Sequence, residues 1–226
     1  MSEISLSRIL AYWADRDPDA PILTFEGTTL SRAELEARSN RLARAYQEHG
    51  VKAGDFVTIA LPNGMEFIEA TFAVWKLGAV PQPVSYRLPD LERSQIIALA
   101  NVSLVAGAPA GAHAGTVCLP ADFRPDPGLS DAPLPEVTAD NWKAMTSGGS
   151  TGRPKLIVSK DPAAIDPLEV KLGIGPEKVM LVPGPLYHNG PFLTGMTALL
   201  KGHHLVITAR FDAAQALELI DHHKVQ

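Results

Sequence analysis

Ten consecutive residues, Thr146-Ser147-Gly148-Gly149-Ser150-Thr151-Gly152-Arg153-Pro154-Lys155, combine three glycines with four hydroxyl side chains and close on a proline and a lysine. Glycine lets a backbone turn tightly and expose its N–H groups, as a concave anion site requires. Hydroxyls add donors for phosphate oxygens and oxygen ligands for Mg²⁺. Lys155 places a point positive charge at the far end of the run. A plain linker needs neither that density of hydroxyls nor a Pro-Lys leading into an apolar strand, so the run reads as a loop that holds a nucleotide's phosphates. Two other phosphate loops are excluded by spacing. Walker A places Lys directly after its second glycine, whereas here Arg153-Pro154 separates Gly152 from Lys155. The dinucleotide pattern G-x-G-x-x-G is absent, because Gly148 and Gly149 are adjacent. Pro154 and the β-branched residues beyond Lys155 predict that a strand, not a helix, leaves the loop.

A second segment, Pro183-Gly184-Pro185-Leu186-Tyr187-His188-Asn189-Gly190-Pro191-Phe192, follows the buried-strand pattern Val179–Val182. His188 falls in the loop after that strand, ahead of an apolar helix predicted over Phe192–Leu200. A lone loop histidine is usually just exposed, but strand-end loops of parallel sheets are where ligands bind.

The elements that must carry these segments follow from periodicity. Leu6, Ile9, Leu10 and Trp13 fall at helical spacing, and Asp17-Pro18-Asp19 stops that helix. Ile22–Phe25 and Thr28–Leu30 read as two strands around a Glu26-Gly27 turn. Ser31 and Glu34 form a capping box that opens a helix through His49, with Gly50 as its cap. Its charged residues, among them Glu36, Arg38 and Arg41, read as a solvated face. From Asp55 onward, strands (56–61, 79–84, 102–106) alternate with helices (64–77, 90–100), the first of these helices capped by Pro62-Asn63. That alternation implies a parallel sheet covered on both faces. Residues 107–139 read as surface connection, apart from a strand at Thr116–Leu119. Leu156–Ser159 pairs back as a strand. Leu205–Ile207 is a further strand, and Asp212 with Gln215 opens a last helix.

Composition bounds the rest. The chain has 226 residues, 46% of them hydrophobic, enough for a real core and two subdomains. Twenty basic and 25 acidic residues are mixed along it, for a net charge of −5. There is no basic stripe for nucleic acid, no polybasic membrane patch and no apolar run of membrane-spanning length. The single cysteine, Cys118, reads as a buried small hydrophobe and suits a reducing compartment, so a cytoplasmic protein is expected. His203-His204 and His222-His223 have no Cys or carboxylate to complete a metal ligand set. A homodimer is among the assembly states left open.

The Thr146–Lys155 run resembles the phosphate loop of the adenylate-forming enzymes, which include acyl-CoA synthetases, luciferases and peptide-synthetase adenylation domains. Their usual pattern is Thr/Ser-Ser-Gly-Thr/Ser-Thr-Gly-x-Pro-Lys. Aligned at Gly149, this chain matches without an insertion, and either Thr146 or Ser147 takes each upstream role. The resemblance extends to Pro-Leu-Tyr-His, the segment that lines the acyl pocket in that family. It implies an α/β fold of mostly parallel sheets covered by helices, the partial N-terminal domain of such an enzyme. Residues 51–177 would form one subdomain with the phosphate loop, and 1–50 with 178–226 parts of a second. It implies that Gly148, Gly149, Ser150, Thr151 and Gly152 hold ATP phosphates and that Lys155 neutralises their charge. Thr146 or Ser147 would donate to phosphate, with Thr146 as the Mg²⁺ contact. Tyr187, His188, Asn189 and Gly190 would line the acyl side, with His188 beside the carboxylate or acyl-adenylate, helping to gate the entering thiol.

The implied reaction is ATP-dependent activation of a small-molecule carboxylic acid, followed by thioester formation with coenzyme A. Leu61-Pro62-Asn63-Gly64 and the Gly-Gly-Ser-Thr loop resemble bile-acid-CoA and long-chain fatty-acyl-CoA ligases, so a fatty, steroid-like or related apolar acid is expected. Loading of a carrier protein is the alternative within the family. A nucleotide- or acyl-binding module without turnover is the alternative from another class. The resemblance covers nearly all of this chain but under half of a typical member, without its later Mg²⁺, ribose and catalytic-lysine segments. A fragment, inactive in isolation, is therefore expected.

Overall fold

A computed structural model describes residues 3–147 and 154–226. In chain order the first elements are β1 (Ile4–Ser5), α1 (Ile9–Ala14), β2 (Pro21–Phe25), β3 (Thr28–Ser31) and α2 (Arg32–Glu48). An alternating stretch follows: β4 (Phe56–Ile59), α3 (Met65–Lys76), β5 (Val80–Pro83), α4 (Asp90–Ala100), β6 (Leu104–Ala106) and β7 (Val117–Leu119). Then come β8 (Ala144–Ser147), β9 (Lys155–Val158), β10 (Ala164–Ile165), β11 (Val179–Val182), α5 (Asn189–Leu200), β12 (His204–Ile207) and α6 (Ala213–His223).

Two four-stranded sheets dominate. One has the order β5-β4-β6-β7 and is parallel throughout. The other has the order β11-β12-β2-β3, parallel except where β2 turns back into β3. That reversal is a two-residue turn, Glu26-Gly27, with φ values of 45° and 80°. Positive φ at both central positions matches the right-handed twist of the flanking strands, and glycine accepts it without strain. The short strands β1 and β10, which pair antiparallel, have no counterpart in the sequence reading.

The sheets are joined through a helix pair. α2 packs on β2 and β3, α3 packs on β4 and β5, and the two helices pack on each other. Every residue of α3 from Phe67 to Lys76 is buried, as its apolar sequence on all sides requires. α2 opens on its capping box: Ser31 Oγ accepts from the Glu34 amide at 3.2 Å, and the Ser31 amide donates to Glu34 Oε2 at 2.7 Å. Its charged residues are not all solvated, which corrects the sequence reading. Glu36 is 8% exposed and accepts from Lys76 Nζ at 2.5 Å, while Arg38 pairs with Glu69 at 2.8 Å. Both charges face α3; Glu36 can be buried there because it meets Lys76, while Arg38 stays partly exposed over the buried Glu69.

Two boundaries near the site also differ. α5 starts at Asn189 rather than Phe192, with His188 as its extended N-cap. Pro191 falls within the first turn, where its missing N–H costs no helical bond. Asn63 does not cap α3: Gly64 is the N-cap residue and no side chain bonds there. The Asn63 amide is used elsewhere.

Candidate active site

β8 and β9 form an antiparallel pair in which Ser147 lies opposite Lys155 and Thr146 opposite Leu156. They deliver the two ends of the glycine-rich run. Gly148, Gly149, Ser150, Thr151 and Gly152 lie outside the described residues. The root of this hairpin opens on a cleft of about 300 Å³. Its lining joins Thr146, Ser147 and Pro154 to Tyr187 and His188, with Pro83, Val84 and Ser85 after β5 and Glu92, Gln95 and Ile96 on α4. Two motifs about forty residues apart in the chain thus meet at one site, beside the C-terminal end of a parallel strand.

The individual residues divide as follows. Thr146 Oγ1 is shut off from solvent and has no hydrogen-bond partner among the described residues. The residue lines the cleft, so a phosphate or metal contact requires this hydroxyl to turn toward it. Lys155 is exposed at the start of β9 and does not line the cleft. Tyr187 and His188 do, with ring centroids 4.7 Å apart, and Tyr86 meets Tyr187 edge-on at 6.1 Å. Asn189 and Gly190 are exposed but lie outside the lining; Asn189 Oδ1 accepts from Lys143 Nζ at 2.5 Å. A side chain at Gly190 would meet open space, so packing gives no reason for glycine there.

Asn63 holds the His188 segment from the other sheet. Its Nδ2 donates to the Gly184 carbonyl at 3.0 Å and to the Thr208 carbonyl at 2.9 Å, and its Oδ1 accepts from the Leu186 amide at 2.8 Å. It is 7% exposed, and the described bonds account for both its amide N–H groups and its oxygen. The loop is tight beside it: a Cβ on Gly184 would sit 2.8 Å from Pro191 Cγ. Leu186 fills the core at 0% exposure and anchors the segment from below. Trp75 Nε1 donates to the Trp142 carbonyl at 2.7 Å, fixing the chain just ahead of β8. Neither Asn63 nor Lys143 is singled out for this role by sequence, since a long-range side-chain bond has no local signature. Among the described residues no cluster of His, Cys, Asp and Glu could hold a metal ion, and no helix is long and apolar enough to cross a membrane.

The observed site is thus an α/β core with an antiparallel hairpin beside a strand-end histidine. The AMP-binding enzyme family model matches residues 10–226, and the chain belongs to that family. It is similar to feruloyl-CoA synthase of Amycolatopsis sp, with 30% identity over 225 residues, 94% of this chain and 45% of that protein. It is also similar to surfactin synthase subunit 3 of Bacillus subtilis (strain 168), with 32% identity over 158 residues, 65% of this chain and 12% of that protein. The fold matches o-succinylbenzoate CoA synthetase of Bacillus subtilis in complex with its acyl-adenylate intermediate. The TM-score is 0.84 at 21% identity, over 100% of this chain and 48% of that one. The chain thus spans about half the length of the acyl-CoA ligases it resembles.

Proposed function

We propose that the protein carrying this chain activates a carboxylic acid with ATP, forming an acyl-adenylate, and passes the acyl group to coenzyme A. The observation that carries the reading is the single cleft lined by Thr146 and Ser147 together with Tyr187 and His188. In the first step a carboxylate oxygen attacks the α-phosphorus of ATP in line, and pyrophosphate leaves. Two anions must meet, so the protein's task is positioning and charge neutralisation rather than supply of a nucleophile. The amides of Gly148 to Gly152 and the hydroxyls of Ser150 and Thr151 hold the phosphates in this account. Lys155, at the mouth of the hairpin, offsets their charge. Thr146 is the oxygen donor we assign to Mg²⁺ on the strength of its unpartnered hydroxyl. The metal, when bound, supplies further neutralisation of phosphate charge.

In the second step the thiol sulfur attacks the acyl carbonyl carbon. The C–O bond to the phosphate breaks, AMP leaves, and the thiol proton passes to solvent. His188, lining the cleft, borders the acyl carbonyl and the path of the thiol. A fatty, steroid-like or related apolar acid is the substrate class we favour, from the resemblance of the Leu61–Gly64 and Gly-Gly-Ser-Thr segments. Transfer to a carrier protein is the second reading, and the similarity to a surfactin synthase subunit supports it. We also read 51–177 as one subdomain and 1–50 with 178–226 as parts of another, a cytoplasmic location, and no nucleic-acid partner.

Pyrophosphate release from ATP and Mg²⁺ by the intact protein, across a panel of carboxylic acids with and without coenzyme A, tests the reading. Acid-dependent release followed by acyl-CoA formation is the expected result. Release without acyl-CoA moves the acceptor to a carrier protein. No release with any acid overturns adenylation and leaves a binding module.

A further inference from the structure

The chain that enters β8 carries a lysine for which neither motif accounts. Lys143 is 8% exposed, and its ammonium donates to Asn189 Oδ1 at 2.5 Å. It lies 4.5 Å from the Trp142 ring centroid and 5.8 Å from that of Phe192. Among the described residues no carboxylate forms an ion pair with it. Burial holds the ammonium below the ordinary lysine range, while Asp161 pulls it back up.

Stability alone does not favour this arrangement. A buried cation that Asp161 offsets without a described ion pair is costly, and a positive charge beside a helix N-terminus opposes the helix dipole. A methionine of similar length would keep the ring contacts at lower cost. What the ammonium does accomplish is a link. Its backbone runs directly into Ala144–Ser147, which delivers Thr146 and Ser147 to the cleft. Its acceptor is the first residue of α5, next in sequence to His188. One hydrogen bond therefore spans from the phosphate-side strand to the acyl-side segment.

We propose that Lys143, through Asn189, is a positioning residue that sets the spacing between the phosphate hairpin and His188 for acid activation. The inference rests on the adenylation reading. In-line attack depends steeply on the separation of the reacting groups, so a loosened link lowers turnover more than it weakens ATP binding.

The test is acid-dependent ATP–pyrophosphate exchange by the intact protein carrying Lys143→Met, Asn189→Ala, or both, with thermal midpoints measured alongside. Lys143→Met should leave the thermal midpoint unchanged or raised, lower kcat by about tenfold or more and leave KM for ATP within about threefold. The double variant should be no slower than the slower single one, because both changes remove the same link. Wild-type kcat in Lys143→Met overturns the proposal, as do losses that multiply in the double variant. A kcat loss accompanied by a large fall in thermal midpoint also overturns it, since that marks a merely structural strut. A wild-type protein that fails to exchange pyrophosphate whichever acid is supplied sinks the adenylation reading itself, and this inference with it. An active wild type with an unaffected Lys143→Met sinks the inference alone.

Discussion

Thr146 separates a ligand role from a packing role at a single hydroxyl. Its Oγ1 is buried without a partner among the described residues, so replacing the hydroxyl by a methyl group removes an unsatisfied polar atom and no described hydrogen bond. Thr146→Val should therefore leave the thermal midpoint unchanged or slightly raised. If the hydroxyl meets phosphate or Mg²⁺ in the intact protein under the proposed function, the same change should lower kcat/KM for ATP by about tenfold to a hundredfold. Steady-state kinetics together with a thermal melt read both effects. Full activity in Thr146→Val would remove this residue from the phosphate site. The sequence singles out this hydroxyl as a candidate because the pattern is local: hydroxyls and glycines crowd into ten residues. It does not single out Lys143, because its meaning comes from Asn189, forty-six positions away.

At the scale of elements, the loop after β11 depends on one side chain from the β4–α3 connection. Asn63→Ala leaves the Leu186 amide and the Gly184 and Thr208 carbonyls without their described partner. Unmade bonds at buried groups cost more than the bonds contribute when formed, so a loss of about 3 kcal/mol is expected in urea unfolding. Asn63→Asp, which sets a buried carboxylate oxygen against the Gly184 and Thr208 carbonyls, should lose at least as much although it keeps the acceptor for Leu186. Equal stability of Asn63→Ala and wild type would contradict the clamp. The sequence signals Pro62-Asn63 as a helix start, because Asn is a common cap, but the tertiary partners claim the amide instead. The start of α5 was mistaken for a related reason. Apolar periodicity begins at Phe192, while the first turn is built from Asn189, Gly190 and Pro191, which carry no such pattern.

β12 gives a pH dependence of stability. His204 Nε2 shares a 2.7 Å hydrogen bond with Thr24 Oγ1, and burial, with a smaller push from His223, lowers its pKa from 6.5 to about 4. Burial also lowers His113, His203 and His223. The native state keeps His204 neutral, whereas the unfolded chain takes up a proton below 6.5. Its contribution is therefore complete above that pH, shrinks as pH falls, and is gone below about 4. Unfolding midpoints measured from pH 7 downward should decline through this window in wild type. His204→Gln should decline less, with the other three histidines accounting for the remainder. Parallel slopes in the two proteins would contradict the assignment.

For the whole molecule, the alternation of strands and helices from Asp55 made the parallel sheet legible, and the capping box at Ser31 located α2. How the two sheets come together was not legible. The α2–α3 contact includes an ion pair between Lys76 and Glu36, a charge that the sequence reading assigns to solvent and the fold buries. That packing brings the end of β5, the β8–β9 hairpin and the His188 segment around one cleft. The central claim is that nucleotide and acid meet there. The most direct test is a crystal structure of the intact protein with a non-hydrolysable acyl-adenylate analogue. The account predicts the analogue in the cleft, with its phosphate mimic against Thr146 or Ser147 and its acyl carbonyl beside His188. An analogue bound elsewhere, touching neither the hairpin nor His188, would contradict it.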